Sequence, residues 1–176
     1  MITMKMLIFI APNDYKEETL EKLKLIFGKR DVKYAVSSYS KKECIGYHGA
    51  VCMPDVNTNT VSSNDYDGFV IVDGKGIDSY KLYDFRPLLD LILKFNASKK
   101  QVCAIGNSVK VLARANIIKD MKISTPDEEE AKRLVLLFHG IPTQEAYEIN
   151  ENISTIRDSG NMDSAIIEIL SRAGAK

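Results

Sequence analysis

Apolar residues in this chain come in two rhythms, short unbroken runs and stretches in which they recur every three or four positions. The run Lys5 to Ala11, KMLIFIA, suits a strand covered on both faces. In NDYKEETLEKLKLIFGK, Asn13 to Lys29, the residues Leu20, Leu23, Ile26 and Phe27 share one helical stripe; acids crowd the first turn and Gly28 supplies a stop. Val32 to Ser37 reads as the next strand, which completes a βαβ unit with a right-handed crossover. From Cys44 to Met53 the pattern shortens to two small β segments around YHGA, and Pro54 to Asp65 is polar and turn-rich. Strand Gly68 to Val72, a loop at Asp73 to Gly76 and a dense helical pattern from Phe85 to Phe95 resume the alternation. Strand Gln101 to Ile105, helix Ser108 to Ala115 and a short strand at Met121 to Ser124 follow. The stretch Pro126 to Gly140 opens on proline and four acids, as a helix start should. Two strands around Tyr147 to Ile149 and Ile153 to Ile156 flank a turn, and Asp163 to Gly174 makes a last amphipathic helix.

Strands alternating with helices predict an α/β fold, a three-layer, doubly wound (flavodoxin-like) and mostly parallel sheet with helices on both faces. Such sheets bind ligands at the carboxyl ends of their strands, here the loops Pro12 to Glu18, Asp73 to Gly76, Gly106 to Ser108 and Arg157 to Asn161. No repeat or linker interrupts the pattern, so residues 1–176 are expected to form a single domain.

Charge narrows the partners. With 24 basic and 24 acidic side chains the formal net charge is zero, which argues against nucleic acid or an anionic membrane and for a small molecule or a protein. Cys44, Cys52 and Cys103 are an odd, sparse set without a CxxC pair, neither a disulfide framework nor a zinc site, so no metal is expected and a reducing cytoplasm fits. The apolar run Met6 to Ala11 is too short for a signal segment, and no stretch approaches the roughly 20 apolar residues that span a bilayer.

The segment QVCAIGNSVKVLARANII, Gln101 to Ile118, passes from strand through a compact turn into a helix, the place where many enzymes present a nucleophile, yet glycine occupies the tip. The block from Asn64 to Thr125, with DYDGFVIVDGKG and then AIGNSVKVLARANIIKDMKIST, resembles the PfpI-type intracellular proteases, the PfpI/DJ-one family of the class I glutamine amidotransferase-like superfamily. GYHG at Gly46 to Gly49 and ENISTIRDSGNMDSAIIEIL add to the likeness, which spans nearly the whole chain.

The resemblance implies a site built from an elbow cysteine, a histidine beside it, a glutamate after the first strand and backbone N–H groups of a GG loop. Carried across, the cysteine falls on Gly106 and the histidine on Asn107, while the GG loop becomes Asp73-Gly74. The glutamate falls on Tyr15 or Lys16, with Glu17 and Glu18 close enough to supply a displaced carboxylate. Arg157 matches an arginine of the family's last strand. A cysteine works at such an elbow because its thiolate is activated there; glycine retains the turn and loses the chemistry. The expectation is therefore a catalytically degenerate relative, a homodimer with no cofactor, whose former active site is vestigial or takes a small anionic or carbonyl ligand. Its pocket residues would be Tyr15, Asp73, Gly74, Gly106, Asn107, Ser108 and Arg157.

Two other readings compete. One is a hydrolase (amidase or peptidase) or a glyoxalase/deglycase-like enzyme using a relocated group, for which Ser108 and Glu18 are the weak candidates. Ser108 follows a GxS opening, but Lys110 stands where a GxSxG elbow needs its second glycine, and capping the next helix is the simpler role. The other is a stress-response interaction module. Cys103 is expected to be a buried core thiol, His48 a hairpin residue and His139 a helix-terminal one.

Overall fold

The computed structural model describes residues 3–174. The chain forms β1 (Lys5–Phe9), β2 (Asn13–Tyr15), α1 (Glu17–Lys29), β3 (Lys33–Ser38), β4 (Cys44–Gly46), β5 (Val51–Cys52), β6 (Val56–Asn57) and β7 (Gly68–Ile71). It continues through α2 (Gly76–Ser79), α3 (Arg86–Ala97), β8 (Gln101–Ile105), α4 (Val109–Arg114), β9 (Lys122–Ser124), α5 (Glu129–Leu137), β10 (Ile141–Thr143), β11 (Tyr147–Asn150), β12 (Ile153–Ile156) and α6 (Met162–Arg172).

The main sheet has seven strands in the order β11-β12-β8-β7-β1-β3-β6, and only β11 runs antiparallel to its neighbour. Its central strands are buried on both faces, which is why they read as unbroken apolar runs. Alternate side chains divide the core in two. Leu7, Phe9, Phe69, Ile71, Val102 and Ala104 face α3, α4 and α5, while Met6, Ile8, Ile10, Val70, Cys103 and Ile105 face α1 and α6. The fold is thus the expected three-layer, mostly parallel α/β sandwich. After β3 joins one side of β1, the chain crosses to place β7 on the other, so the strand order reverses beside β1 and a crevice opens at the carboxyl ends there.

Several boundaries depart from the sequence pattern. The first helix starts at Glu17, not Asn13, because Asn13 to Tyr15 pairs with β4 and Asp14 takes a left-handed turn at φ 60°. The helix expected from Pro126 begins at Glu129, behind a loop whose last residue, Glu128, makes no side-chain cap hydrogen bond to it. β6 lies in a segment that reads as loop, and β10 in one just past Gly140 to which the pattern assigns no element; two or three residues are too few for a period of two to register. The hairpin at Cys44 to Met53 and the antiparallel pair β11–β12 are where the pattern placed them.

Candidate functional site

Loops at the carboxyl ends of β1, β7, β8, β9 and β12, with the turn of the β4–β5 hairpin, line a cavity of about 320 Å³. Asp14, Lys16, Tyr47, Asp73, Gly74, Lys75, Gly106, Asn107, Pro126, Arg157 and Asp158 line it. Of the pocket residues expected from the sequence, Asp73, Gly74, Gly106, Asn107 and Arg157 are in this wall, and Tyr15 and Ser108 are not.

Gly106 leaves β8 at φ 56°, a left-handed conformation that favours glycine, and turns the chain into a short 3-10 segment ahead of α4. A Cβ built on it would lie 2.6 Å from Asp73 Oδ2 and 2.9 Å from Asp73 Cβ. The space above the turn is filled by a carboxyl group from the neighbouring loop. Asp73 is only 4% exposed; the Thr19 hydroxyl donates to its Oδ1 at 2.6 Å and Lys16 Nζ lies 3.8 Å from Oδ2. Burial raises the Asp73 pKa above the usual carboxylate range, and the Thr19 hydrogen bond and the Lys16 charge offset only part of that rise.

The loops are tied to one another through backbone and amide groups. Asn107 Oδ1 accepts from Gly74 N at 3.0 Å, and Asn107 Nδ2 donates to Gly74 O at 2.7 Å. Lys16 N donates to Asp73 O at 3.0 Å. Gly74 has φ 140°, and a side chain there would run into the Asp14 carbonyl, so the retained glycine is a steric requirement of the close loop contact.

Ser108 is fully buried. Its Oγ accepts from Ile105 N at 2.9 Å and faces the carbonyls of Ile105 at 2.7 Å and Ile71 at 2.9 Å, where its one proton is held. That arrangement ties the turn to β7 and leaves no free hydroxyl in the cleft. Glu18 sits on the outer side of α1, exposed and 3.4 Å from Lys22 Nζ. Glu17, by contrast, accepts from the backbone N–H groups of His48 and Ala50 at 2.9 and 3.0 Å. Slight desolvation pushes its pKa up, but those N–H groups prevail and hold the carboxyl below its ordinary range. Tyr15 lies beneath the hairpin with its hydroxyl donating to Ala50 O at 3.3 Å; burial first, then the nearby Cys52 and Glu17, push its pKa up to about 12.

No cysteine lines the cavity. Cys103 is buried in β8, where desolvation pushes its thiol up to about 12. His48 is in the hairpin turn with its ring edge-on to Tyr47, and His139 ends α5 at φ 66°. Among the described residues no group of three His, Cys, Asp or Glu could hold a metal ion.

Thr19 and the hairpin residue Tyr47 are site residues that sequence reasoning passed over. Thr19 lies one helical turn after Lys16, a spacing that puts both on the Asp73 side of α1, and that period was the available signal. Nothing local marked Tyr47, whose ring comes under Lys75 Nζ at 5.0 Å only once the hairpin folds over the loop. The assembled site opposes three cations, Lys16, Lys75 and Arg157, to three acids, Asp14, Asp73 and Asp158. It can hold a small polar molecule by charge and hydrogen bonds, and Asp73 is its one deeply buried ionisable group.

The sequence and the doubly wound fold are matched by known proteins. Residues 4–156 match the DJ-1/PfpI family, and the chain belongs to that family. An uncharacterized protein of Methanocaldococcus jannaschii is 35% identical over 127 residues, 72% of this chain and 62% of that protein, so the match spans under two thirds of the relative. A ThiJ/PfpI domain protein from Brachyspira murdochii superposes with a TM-score of 0.88 at 23% identity, covering 96% of this chain and 97% of the other. DJ-1beta of Drosophila melanogaster gives 0.85 at 17% identity, covering 99% and 92%. At those identities the two structures speak for the fold.

Proposed function

We propose that this chain is a catalytically degenerate DJ-1/PfpI protein, a pseudoenzyme of one domain, whose cleft at the former nucleophile elbow is vestigial or holds a small anionic or carbonyl ligand. One observation carries the reading: Gly106 keeps the left-handed turn while the Asp73 carboxyl occupies the space its side chain would need. A thiolate and this carboxylate cannot share that space, so the nucleophile's position is closed as well as empty of sulfur. The rim cations Lys16, Lys75 and Arg157 favour an anionic or carbonyl oxygen on the ligand. The relocated-group alternative is weakened by the buried, fully engaged Ser108 and the outward-facing Glu18.

The test is turnover. Purified protein incubated with peptides, amides or methylglyoxal should release product no faster than buffer. Turnover that disappears in Asp73→Asn, with the fold intact by circular dichroism, overturns the degenerate reading and installs an active hydrolase or glyoxalase-like enzyme in its place.

A homodimer in the cytoplasm goes with this reading. Its support is the exposed apolar side chains Ile45, Val51 and Met53 on the hairpin, a face that a second copy would cover. Sedimentation equilibrium checks it, with a monomer at micromolar concentration as the refuting outcome. Among the described residues no helix is long and apolar enough to cross a membrane.

A further inference from the structure

Cys44 and Cys52 sit directly opposite each other in the antiparallel pair β4–β5. We propose that they are a cross-strand dithiol that closes to a disulfide by exchange with a small-molecule disulfide, clamping the hairpin that walls the cleft.

Spacing and direction both allow it. Residues directly opposed in an antiparallel pair have Cα atoms about 4.5 to 5.5 Å apart, within the roughly 4.4 to 6.8 Å that a disulfide spans. Opposed residues also project to the same face of the pair, and here that face is the inner one: their neighbours Ile45 and Val51 are exposed, whereas Cys44 is buried and Cys52 packs against the same core. Both thiols are free in this structure, and both lie near enough to Tyr15 for their charges to raise its pKa.

Their unequal exposure sets the order of events. Cys52 is half-buried and reachable; burial raises its pKa, Lys24 of α1 offsets part of that rise, and Asp55 and Glu21 add to it, so its small thiolate fraction attacks first because it is the accessible sulfur. Its sulfur attacks the external disulfide RSSR, forming the mixed disulfide Cys52–S–S–R and releasing one RSH. Cys44, buried behind it, then attacks the Cys52 sulfur and expels the second RSH. Two protein thiols are oxidised, one RSSR is reduced to two RSH, and no other oxidant is needed.

The bond would act on the cleft through contacts already in place. The turn between the two cysteines carries Tyr47, which lines the cavity, and the N–H groups of His48 and Ala50 that bind Glu17. Cross-linking the strands fixes that turn, and with it the start of α1 beside Lys16. This mechanism does not depend on whether the cleft is catalytic.

Native protein incubated with oxidised glutathione, then unfolded and alkylated, tests it. We expect one alkylated thiol, Cys103, where the reduced control gives three, and a proteolytic peptide joining Cys44 to Cys52. Cys44→Ser should instead stop at a glutathione adduct on Cys52. Three free thiols, a stable glutathione adduct on wild-type Cys52, or a Cys52 link between two chains would each overturn the proposal, and all are read on the wild-type protein.

Discussion

Gly106 and Asp73 define each other. Glycine tolerates φ 56° at little cost, whereas an L residue there costs about 1 to 2 kcal/mol, and a Cβ would collide with the Asp73 Cβ as well as its carboxylate. Overpacking of that kind costs about 1 to 3 kcal/mol. Gly106→Cys should therefore lower stability by about 2 to 5 kcal/mol in urea denaturation, and the double change with Asp73→Gly should recover the collision share. Equal losses in the single and double variants would mean the two residues are independent. Asp73 also predicts a pH effect. Because its folded pKa is raised, its contribution is most favourable below the ordinary carboxylate range and is lost as pH rises through the raised value. Asp73→Asn should raise the melting temperature at pH 7 and not at acid pH; a destabilised variant at pH 7 contradicts this. Ser108→Ala removes a buried hydrogen-bonding hub and leaves Ile105 N unpaired, a loss of about 1 to 3 kcal/mol by chemical denaturation. The glycine at the turn was legible from residue types; the serine was not, for Ser108 makes no side-chain cap to α4 and bonds back to β8 and β7 instead. Asp73's position was not, since its carboxyl reaches the turn from another loop.

Among the elements, α4 is fastened by one unusual side chain. Lys110, 1% exposed, pairs with Asp78 of α2 at 2.8 Å and with Glu128, which immediately precedes α5. Burial alone would depress its pKa, but the two carboxylates outweigh that and raise it. The cost of breaking this brace should be asymmetric. Lys110→Met returns both half-exposed acids to water and should cost about 1 kcal/mol; Asp78→Asn with Glu128→Gln strands a buried ammonium and should cost about 3 kcal/mol or more. Guanidinium melts of the two variants distinguish them, and equal costs would refute the brace. The long apolar strands and α1, α3 and α6 were readable because each carries its own period over several turns. The start of α5 was misplaced for a physical reason: Glu128, one of the acids that suit a helix N-terminus, is held ahead of the helix in extended conformation by Lys110, a contact with no local trace.

At the scale of the whole molecule, the alternation of runs and stripes carried the sandwich, its parallel sheet and the end of the sheet where a cleft must lie. Which loops converge there follows from strand order, and the family resemblance supplied Asp73, Gly74, Gly106, Asn107 and Arg157 within them, while Tyr47 entered through a hairpin folded over from a separate small sheet. The seven-stranded sheet also ends, on one side, in a strand of only two residues, Val56–Asn57. So brief a border offers too few unpaired peptide groups for an incoming chain to zip onto. Copies of this protein that meet at that margin must recognise one another through the shape and chemistry of side chains, and growth into a continuous fibre along it is denied by the architecture itself.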